Sequence, residues 1–343
     1  MLPNLYTVLV GRPAIGKGVA FDAGLPLVKE AKTVNILSDR LTMEYVLEKL
    51  SKGFTSTIPI PGGVKLGTEA SVLLVSRELS VFITASQFSL TALTDLWEGH
   101  EGKFMYGTRG KGEWNVESPC VSLLGASAQE YLIRTIPADA IGGGFTRRVN
   151  FIFEKDPSKK VAFPERDGLG PFFQDLVDDL KEISKLHGEM KFTPGAAKLF
   201  EKYYNESVAA DYDDQATAHY KSSRWSNALK VAMCLSASEG DNLLINERHW
   251  TKAEIEIDKI AENLKIVFRA VGESDLSTAA DKTLSFIEKK GYASKNEILF
   301  YLWRDVTRDD LDRILTTFRE AGILLEKAQG NKLVYFLSGV TNP

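Results

Sequence analysis

Short runs of aliphatic and β-branched residues, separated by longer polar or helical stretches, mark the first 153 residues of the chain. Five of these runs are almost continuously apolar, as strands buried on both faces are. Strands that alternate with helices predict a mostly parallel sheet within a three-layer α/β core. The five predicted strands are residues 6–10, 34–37, 72–75, 120–124 and 149–153.

The apolar pattern changes after residue 153, where a charged stretch is followed by several proline and glycine residues. From about residue 172 to 271 apolar residues recur at helical spacing, which predicts an all-helical domain. The last part predicts the order of a winged helix-turn-helix, with helices at 278–290, 294–304 and 308–321 and a hairpin of 324–327 with 332–336. The predicted domains are an α/β core at 1–156, an all-helical domain at 165–272 and a winged helix at 277–340.

Composition and charge restrict the partners that this chain can have. Apolar residues make up 44% of the sequence and charged residues 26%, and the net charge of -4 gives no general attraction to nucleic acid or acidic lipid. The four histidines and two cysteines lack the spacing of zinc ligands or of a disulfide framework, so no protein-held metal site is predicted. Because a secretion signal and an apolar run of about 20 residues are both missing, we expect a cytoplasmic protein with no membrane partner.

A glycine-containing loop with a lysine follows the first predicted strand. Residues 11–17 have the G-x-x-x-x-G-K pattern of a phosphate-binding loop, in the strand-then-loop context that the motif requires. The glycines let backbone N–H groups face the phosphates, and Lys17 extends toward the β and γ oxygens. We therefore expect ATP as the ligand and Mg²⁺ as its cofactor, with a plain strand-to-helix turn as the alternative. The candidate nucleotide-binding residues are Gly11, Arg12, Pro13, Ala14, Ile15, Gly16, Lys17 and Gly18.

Two positions depart from the usual phosphate-loop pattern. Residue 18 is glycine, whereas a serine or threonine usually gives Mg²⁺ a hydroxyl there. Glu78 follows the third predicted strand and is the candidate catalytic base, but Arg77 replaces the aspartate usual before it. Phosphates and waters are then left to hold the ion, and a solvated glutamate is the alternative for Glu78. Ser127, which ends the fourth strand, is a candidate contact to the γ-phosphate or a helix cap.

Three glycines at 142–144 precede Arg147 and Arg148, directly before the fifth predicted strand. An arginine at this place would act on a neighbouring subunit's γ-phosphate as an arginine finger, with surface ion pairs as the alternative. Together with the loop and the segment 76–80, this segment resembles the AAA+ replication ATPases of bacteriophages and mobile elements. These ATPases are relatives of the helicase halves of primase-helicases and, more distantly, of minichromosome maintenance helicases.

The resemblance implies a P-loop NTPase core of AAA+ type, a helical lid over the nucleotide and a C-terminal winged helix. It makes Ser127 the first sensor, Arg224 the second sensor on the lid, and Arg148 the arginine finger. Lys17, Glu78 and Arg148 are then the predicted catalytic residues. It further implies an ATPase and helicase, a homo-hexamer or other ring that moves along single-stranded or forked DNA. A primase or polymerase would be its partner, in the cytoplasm of a bacterium or phage host.

A DNA-translocating ring needs a pore loop, and the segment 102–114 is the best candidate because basic and aromatic residues alternate around its glycines. Lys103, Arg109 and Lys111 would meet phosphates while Tyr106 or Trp114 stacks on bases. A hairpin that packs on its own core is the alternative, since nearby glutamates dilute the positive charge.

The charge of the winged helix gives no sign of DNA binding. Residues 272–343 hold ten Lys plus Arg and eleven Asp plus Glu, a net charge of -1, which slightly favours a protein-contact role. Two further functions stay open. One is a nucleotide-binding switch or helicase loader with weak hydrolysis, favoured by Gly18 and Arg77. The other is a winged-helix DNA-binding regulator whose α/β part is a dimer scaffold.

Overall fold

The computed structural model describes residues 1–38, 40–60, 63–84, 88–99, 103–108, 112–137, 140, 143–155, 170–209, 215–268, 275–329 and 332–338. The chain divides into two compact units, residues 1–268 and 269–343. The predicted boundary between the α/β core and the helical domain falls inside the first unit, and the division into three domains stays a prediction. Among the described residues, no helix has both the length and the apolar character needed to cross a bilayer.

The first half of the chain alternates strands and helices, as its apolar pattern predicts. The elements in chain order are β1 (Tyr6–Val10), α1 (Lys17–Ala31), β2 (Ile36–Ser38), α2 (Met43–Lys52), β3 (Phe54–Ile60), β4 (Gly63–Glu69), β5 (Ser71–Ser76), α3 (Leu79–Thr84), α4 (Ser89–Glu98), β6 (Lys103–Thr108), β7 (Gly112–Glu117), β8 (Cys120–Ser127), α5 (Gln129–Thr135) and β9 (Val149–Phe153).

All five strands predicted from apolar runs form one parallel sheet, in the order β2-β5-β8-β1-β9. Leu9 of β1 packs with Phe21 and Leu25 of α1 on one face. Tyr6 donates its hydroxyl to the Leu93 carbonyl of α4 at 2.9 Å. Because odd and even strand residues face opposite sides, helices cover both faces of the sheet. The α/β class and the parallel sheet are therefore confirmed.

Two antiparallel hairpins, β3 with β4 and β6 with β7, interrupt the alternation. The sequence did not predict the first hairpin, because its strands mix threonine, glycine and lysine and include Pro59, which weakens a strand pattern. The second hairpin is the form that the alternative interpretation of the segment 102–114 expected.

Helices dominate the rest of the first unit, which consists of α6 (Phe172–Ile183), β10 (Lys191–Phe192), α7 (Pro194–Ala209), α8 (Gln215–Glu239), β11 (Leu244–Ile245) and α9 (Glu247–Val267). The parallel pair of β10 and β11 is the departure from the all-helical prediction, and two residues per strand are too few to show a period. The long helix α8 contacts the α/β part through buried polar groups. Tyr220 donates its hydroxyl to Asn150 Oδ1 at 2.9 Å, and Lys230 Nζ donates to Asn4 Oδ1 at 2.7 Å.

The second unit comprises α10 (Asp275–Lys290), β12 (Ala293–Ser294), α11 (Lys295–Tyr301), α12 (Arg308–Glu320), β13 (Leu324–Gln329) and β14 (Lys332–Leu337). The three predicted helices and the predicted hairpin are present, with Leu324 opposite Leu337. The short strand β12, which was not predicted, adds to β14. Ile287, Leu311 and Leu315 lie in its buried core.

Candidate functional site

The predicted phosphate loop leaves the carboxyl end of β1, which lies between β8 and β9 in the sheet. After β1 the chain crosses β8 and β5 to reach β2 at one edge of the sheet. After β8 it crosses β1 in the other direction to reach β9 at the opposite edge. The two connections therefore leave neighbouring strands in opposite directions. Open α/β sheets bind their ligands outside the carboxyl ends of strands at such a point.

The glycines of the loop occupy positions that other residues would strain. A Cβ atom at Gly11 would lie 3.0 Å from the Glu154 carbonyl oxygen. Gly16 has φ 101°, in the left-handed region that favours glycine, and directly precedes α1. Arg12, Pro13 and Ala14 are exposed in the loop. The tight loop therefore leads into the first turn of α1, whose N–H groups an α-helix cannot pair internally.

Lys17, the first residue of α1, folds back over the loop. Its Nζ donates to the carbonyl oxygens of Gly11 at 2.6 Å and Arg12 at 2.8 Å. Partial burial lowers the pKa of Lys17, while the negative charges of Glu78 and Glu130 act in the opposite direction. Both glutamates follow strands, β5 and β8, that end at the same edge of the sheet as the loop.

The structure brings Ser127 and Glu78 to the same edge of the sheet as the loop. Ser127 is buried opposite Val10, and its carbonyl accepts a hydrogen bond from the Gly11 N–H at 3.4 Å. The Ser127 hydroxyl donates to the Ala128 carbonyl at 2.9 Å. Glu78 is exposed and lines a cleft of about 630 Å³ at the carboxyl ends of β2 and β5.

Glu130 is a further candidate site residue, which the sequence pattern did not indicate. It lies in the first turn of α5, three residues after Ser127, and its side chain is exposed. The available signal was its position just after the end of a parallel strand, the edge at which open α/β sheets bind their ligands. Glu78 and Glu130 are therefore two candidate bases, from neighbouring strands, for one site.

The residues beside the loop do not fit a directly bound Mg²⁺ ion. A Cβ atom at Gly18 would lie 3.8 Å from Nη1 of Arg77, so a guanidinium stands next to the position that usually bears the hydroxyl ligand. In the described parts of the chain, no group of three or more Asp, Glu, His or Cys side chains could hold a metal. A cation is already present where the loop pattern would supply a ligand for one.

The predicted arginine finger, Arg148, is buried within its own chain. Its Nε donates to Glu98 Oε1 at 3.0 Å, and Nη2 pairs with the same carboxylate. Nη1 donates to the Gly144 carbonyl at 2.6 Å, and the guanidinium carbon lies 5.6 Å from the Trp97 ring centre. These contacts argue for a structural role, and the finger role stays a prediction. The neighbouring Arg147 is exposed.

The predicted second sensor, Arg224, lies on α8 and joins the three long helices. Nη1 is 2.9 Å from Asp258 Oδ1 on α9, and Nε donates to Ser207 Oγ on α7 at 3.3 Å. Its guanidinium carbon also lies 4.8 Å from the ring centre of Tyr203. A nucleotide contact would require Arg224 to leave some of these partners, so its sensor role stays a prediction.

The candidate DNA-binding residues lie on the β6–β7 hairpin. Tyr106 is the cross-strand partner of Trp114, with ring centroids 6.0 Å apart, and also stacks on Phe88 at 4.4 Å. Phe104 and Val116 are buried and face the same side of the hairpin as this aromatic pair. Arg109, Lys111 and the side chain of Lys103 lie outside the described residues. The aromatic stack packs partly within its own chain, and its DNA role stays a prediction.

No family model matches the chain, and no curated protein matches it at a significant level. The resemblance to AAA+ replication ATPases therefore stays a prediction from the sequence motifs.

Proposed function

We propose that this chain is a P-loop nucleotide-binding protein that holds ATP at residues 11–18. The observation that carries the proposal is the position of the G-x-x-x-x-G-K loop at the carboxyl end of a central parallel strand. Gly16 has the left-handed backbone that turns such a loop into a helix, and Lys17 lies over the loop. These features support a phosphate site over a plain strand-to-helix turn.

The other domains follow from the same proposal. The helices α6 to α9 would form the lid of an AAA+-type ATPase, and α8 joins them to the sheet through buried polar contacts. The second unit would be a winged helix, which the order of three helices and a hairpin supports.

We further propose a ring, a hexamer in the simplest case, that hydrolyses ATP and moves along single-stranded or forked DNA as a replicative helicase of a phage or mobile element. Glu78 or Glu130 would activate the attacking water, and an arginine from the next subunit would stabilise the transition state. The exposure of Arg147 supports that residue over Arg148 as the arginine finger. A primase or polymerase would be its protein partner.

A nucleotide-binding switch or helicase loader with weak hydrolysis is the second candidate function. The specific observation that favours it is the pair of Gly18 and Arg77 where metal-anchoring side chains would stand. The third function, a winged-helix regulator, would need no nucleotide.

Steady-state ATP hydrolysis with and without single-stranded DNA separates these functions. A motor should hydrolyse ATP, should do so faster when DNA is present, and should form a ring whose mass is measurable with a non-hydrolysable ATP analogue. A switch should bind ATP with little turnover under either condition. If the chain neither binds nor hydrolyses ATP, both functions are wrong and the regulator remains.

A further inference from the structure

Nucleoside triphosphates carry several negative charges, and P-loop enzymes balance these charges with the loop lysine and Mg²⁺. The ion is usually held by a hydroxyl after the lysine and by an aspartate at the end of a neighbouring strand. In this chain Gly18 replaces the hydroxyl and Arg77 stands in the strand-end position before Glu78. The same two positions that lose metal ligands thus gain one fixed positive charge.

The Arg77 side chain is oriented along α1 toward the loop. Its Nη2 is 2.6 Å from Asp22 Oδ1, and its guanidinium carbon is 5.3 Å from the ring centre of Phe21. Nη1 faces Gly18, one helical turn before Asp22, where a Cβ atom would be only 3.8 Å away. Among the described residues, Nη1 has no hydrogen-bond partner of its own.

We propose that the Arg77 guanidinium takes the place of Mg²⁺ in this nucleotide site, so that ATP binds without a divalent cation. The inference rests on the proposed nucleotide function. A guanidinium offers N–H donors in a planar arrangement that matches phosphate oxygens and is always charged. Glycine at position 18 keeps the space between that guanidinium and the loop free of a side chain. Asp22 orients the arginine through one nitrogen and leaves the other for the phosphate.

The test is ATP binding, measured with a fluorescent analogue, in excess EDTA and in Mg²⁺. The wild-type protein should bind with affinities that agree within about threefold in the two buffers, because a fixed charge needs no metal. Arg77→Ala should weaken binding in EDTA by about 10- to 100-fold, the range for hydrogen bonds to charged groups. The control is Arg319→Ala, which removes a similarly exposed arginine paired with Glu326 in the second unit, and it should bind as the wild type does.

A second variant installs the usual metal ligands. The double variant Gly18→Ser with Arg77→Asp should bind ATP in Mg²⁺. Its ATP affinity should fall by about tenfold or more in EDTA, since the metal ion then helps to hold the ATP phosphates. Unchanged helical circular dichroism would show that each variant is folded.

The inference and the proposed function can fail separately. If wild-type binding collapses in EDTA while Lys17→Ala abolishes binding in Mg²⁺, the nucleotide site is real and Arg77 does not replace the metal. If Arg77→Ala binds ATP normally in EDTA, the contact with Asp22 is only a surface ion pair. If Lys17→Ala binds ATP as the wild type does, the proposed function itself is wrong.

Discussion

The buried Arg148 offers a sharp test of whether this residue supports its own subunit or acts on a neighbour. Arg148→Ala removes a guanidinium whose side chain is 8% exposed and pairs with Glu98, which is 40% exposed. The change removes the 2.6 Å hydrogen bond to the Gly144 carbonyl and the guanidinium that lies over the Trp97 ring.

The magnitude follows from these exposures. Removing one partner of a fully buried ion pair costs about 3–5 kcal/mol of folding free energy. Because water can reach Glu98 once the arginine is gone, the cost here should be smaller, about 2–3 kcal/mol including the unpaired carbonyl. For a unit of this size such a loss lowers the unfolding temperature by about 5–10 °C.

Thermal and urea unfolding of Arg148→Ala measure this loss, and Arg147→Ala is the matched control. Arg147 is exposed, so its removal should change the free energy of unfolding by less than about 0.5 kcal/mol. ATP turnover, measured on the same samples, should fall in Arg147→Ala although its free energy of unfolding is nearly unchanged, because the proposed arginine finger is lost. An Arg148→Ala protein that unfolds like the wild type while turnover disappears would refute the structural role and restore the arginine finger assignment.

Two further predictions concern a buried lysine and the candidate bases. Burial lowers the pKa of Lys230 from 10.5 to about 8, so between these pH values the unfolded chain binds more protons and this lysine's contribution to stability rises with pH. Relative to Lys230→Met, the wild type should therefore gain about 2–3 kcal/mol of unfolding free energy across that window in urea titrations, and a constant difference would contradict the shift. One of the two variants Glu78→Gln and Glu130→Gln, the one that removes the base, should retain ATP affinity and slow single-turnover hydrolysis by about 100-fold or more. Normal hydrolysis rates in both variants would exclude both carboxylates as the base.

The parallel sheet was predictable because strands buried on both faces are apolar throughout, and the order of strands and helices follows directly from that pattern. The loop at 11–18 was predictable because its function is carried by backbone geometry and one lysine close together in sequence. The partners of the arginines were not, since Glu98 is 50 residues from Arg148 and no local pattern joins them. Long-range packing likewise decides that Arg224 pairs with Asp258.

Glu130 shows a different limit of the sequence. A carboxylate in the first turn of a helix is common because it stabilises the helix dipole, so its residue type alone does not mark a site. Only the sheet order, which places β8 beside β1, brings Glu130 and the loop with Lys17 to the ends of neighbouring strands.

ATP affinity, measured for the wild type and for Lys17→Ala, is the direct test of nucleotide binding at residues 11–18, with Lys52→Ala as the control. Lys52 is an exposed lysine paired with Glu48 on α2, so its loss should not affect ATP. We expect Lys17→Ala to weaken labelled-ATP binding by about 10- to 100-fold, with its unfolding temperature in the absence of ATP unchanged. Equal affinities of the three proteins for ATP would show that the loop is not the nucleotide site.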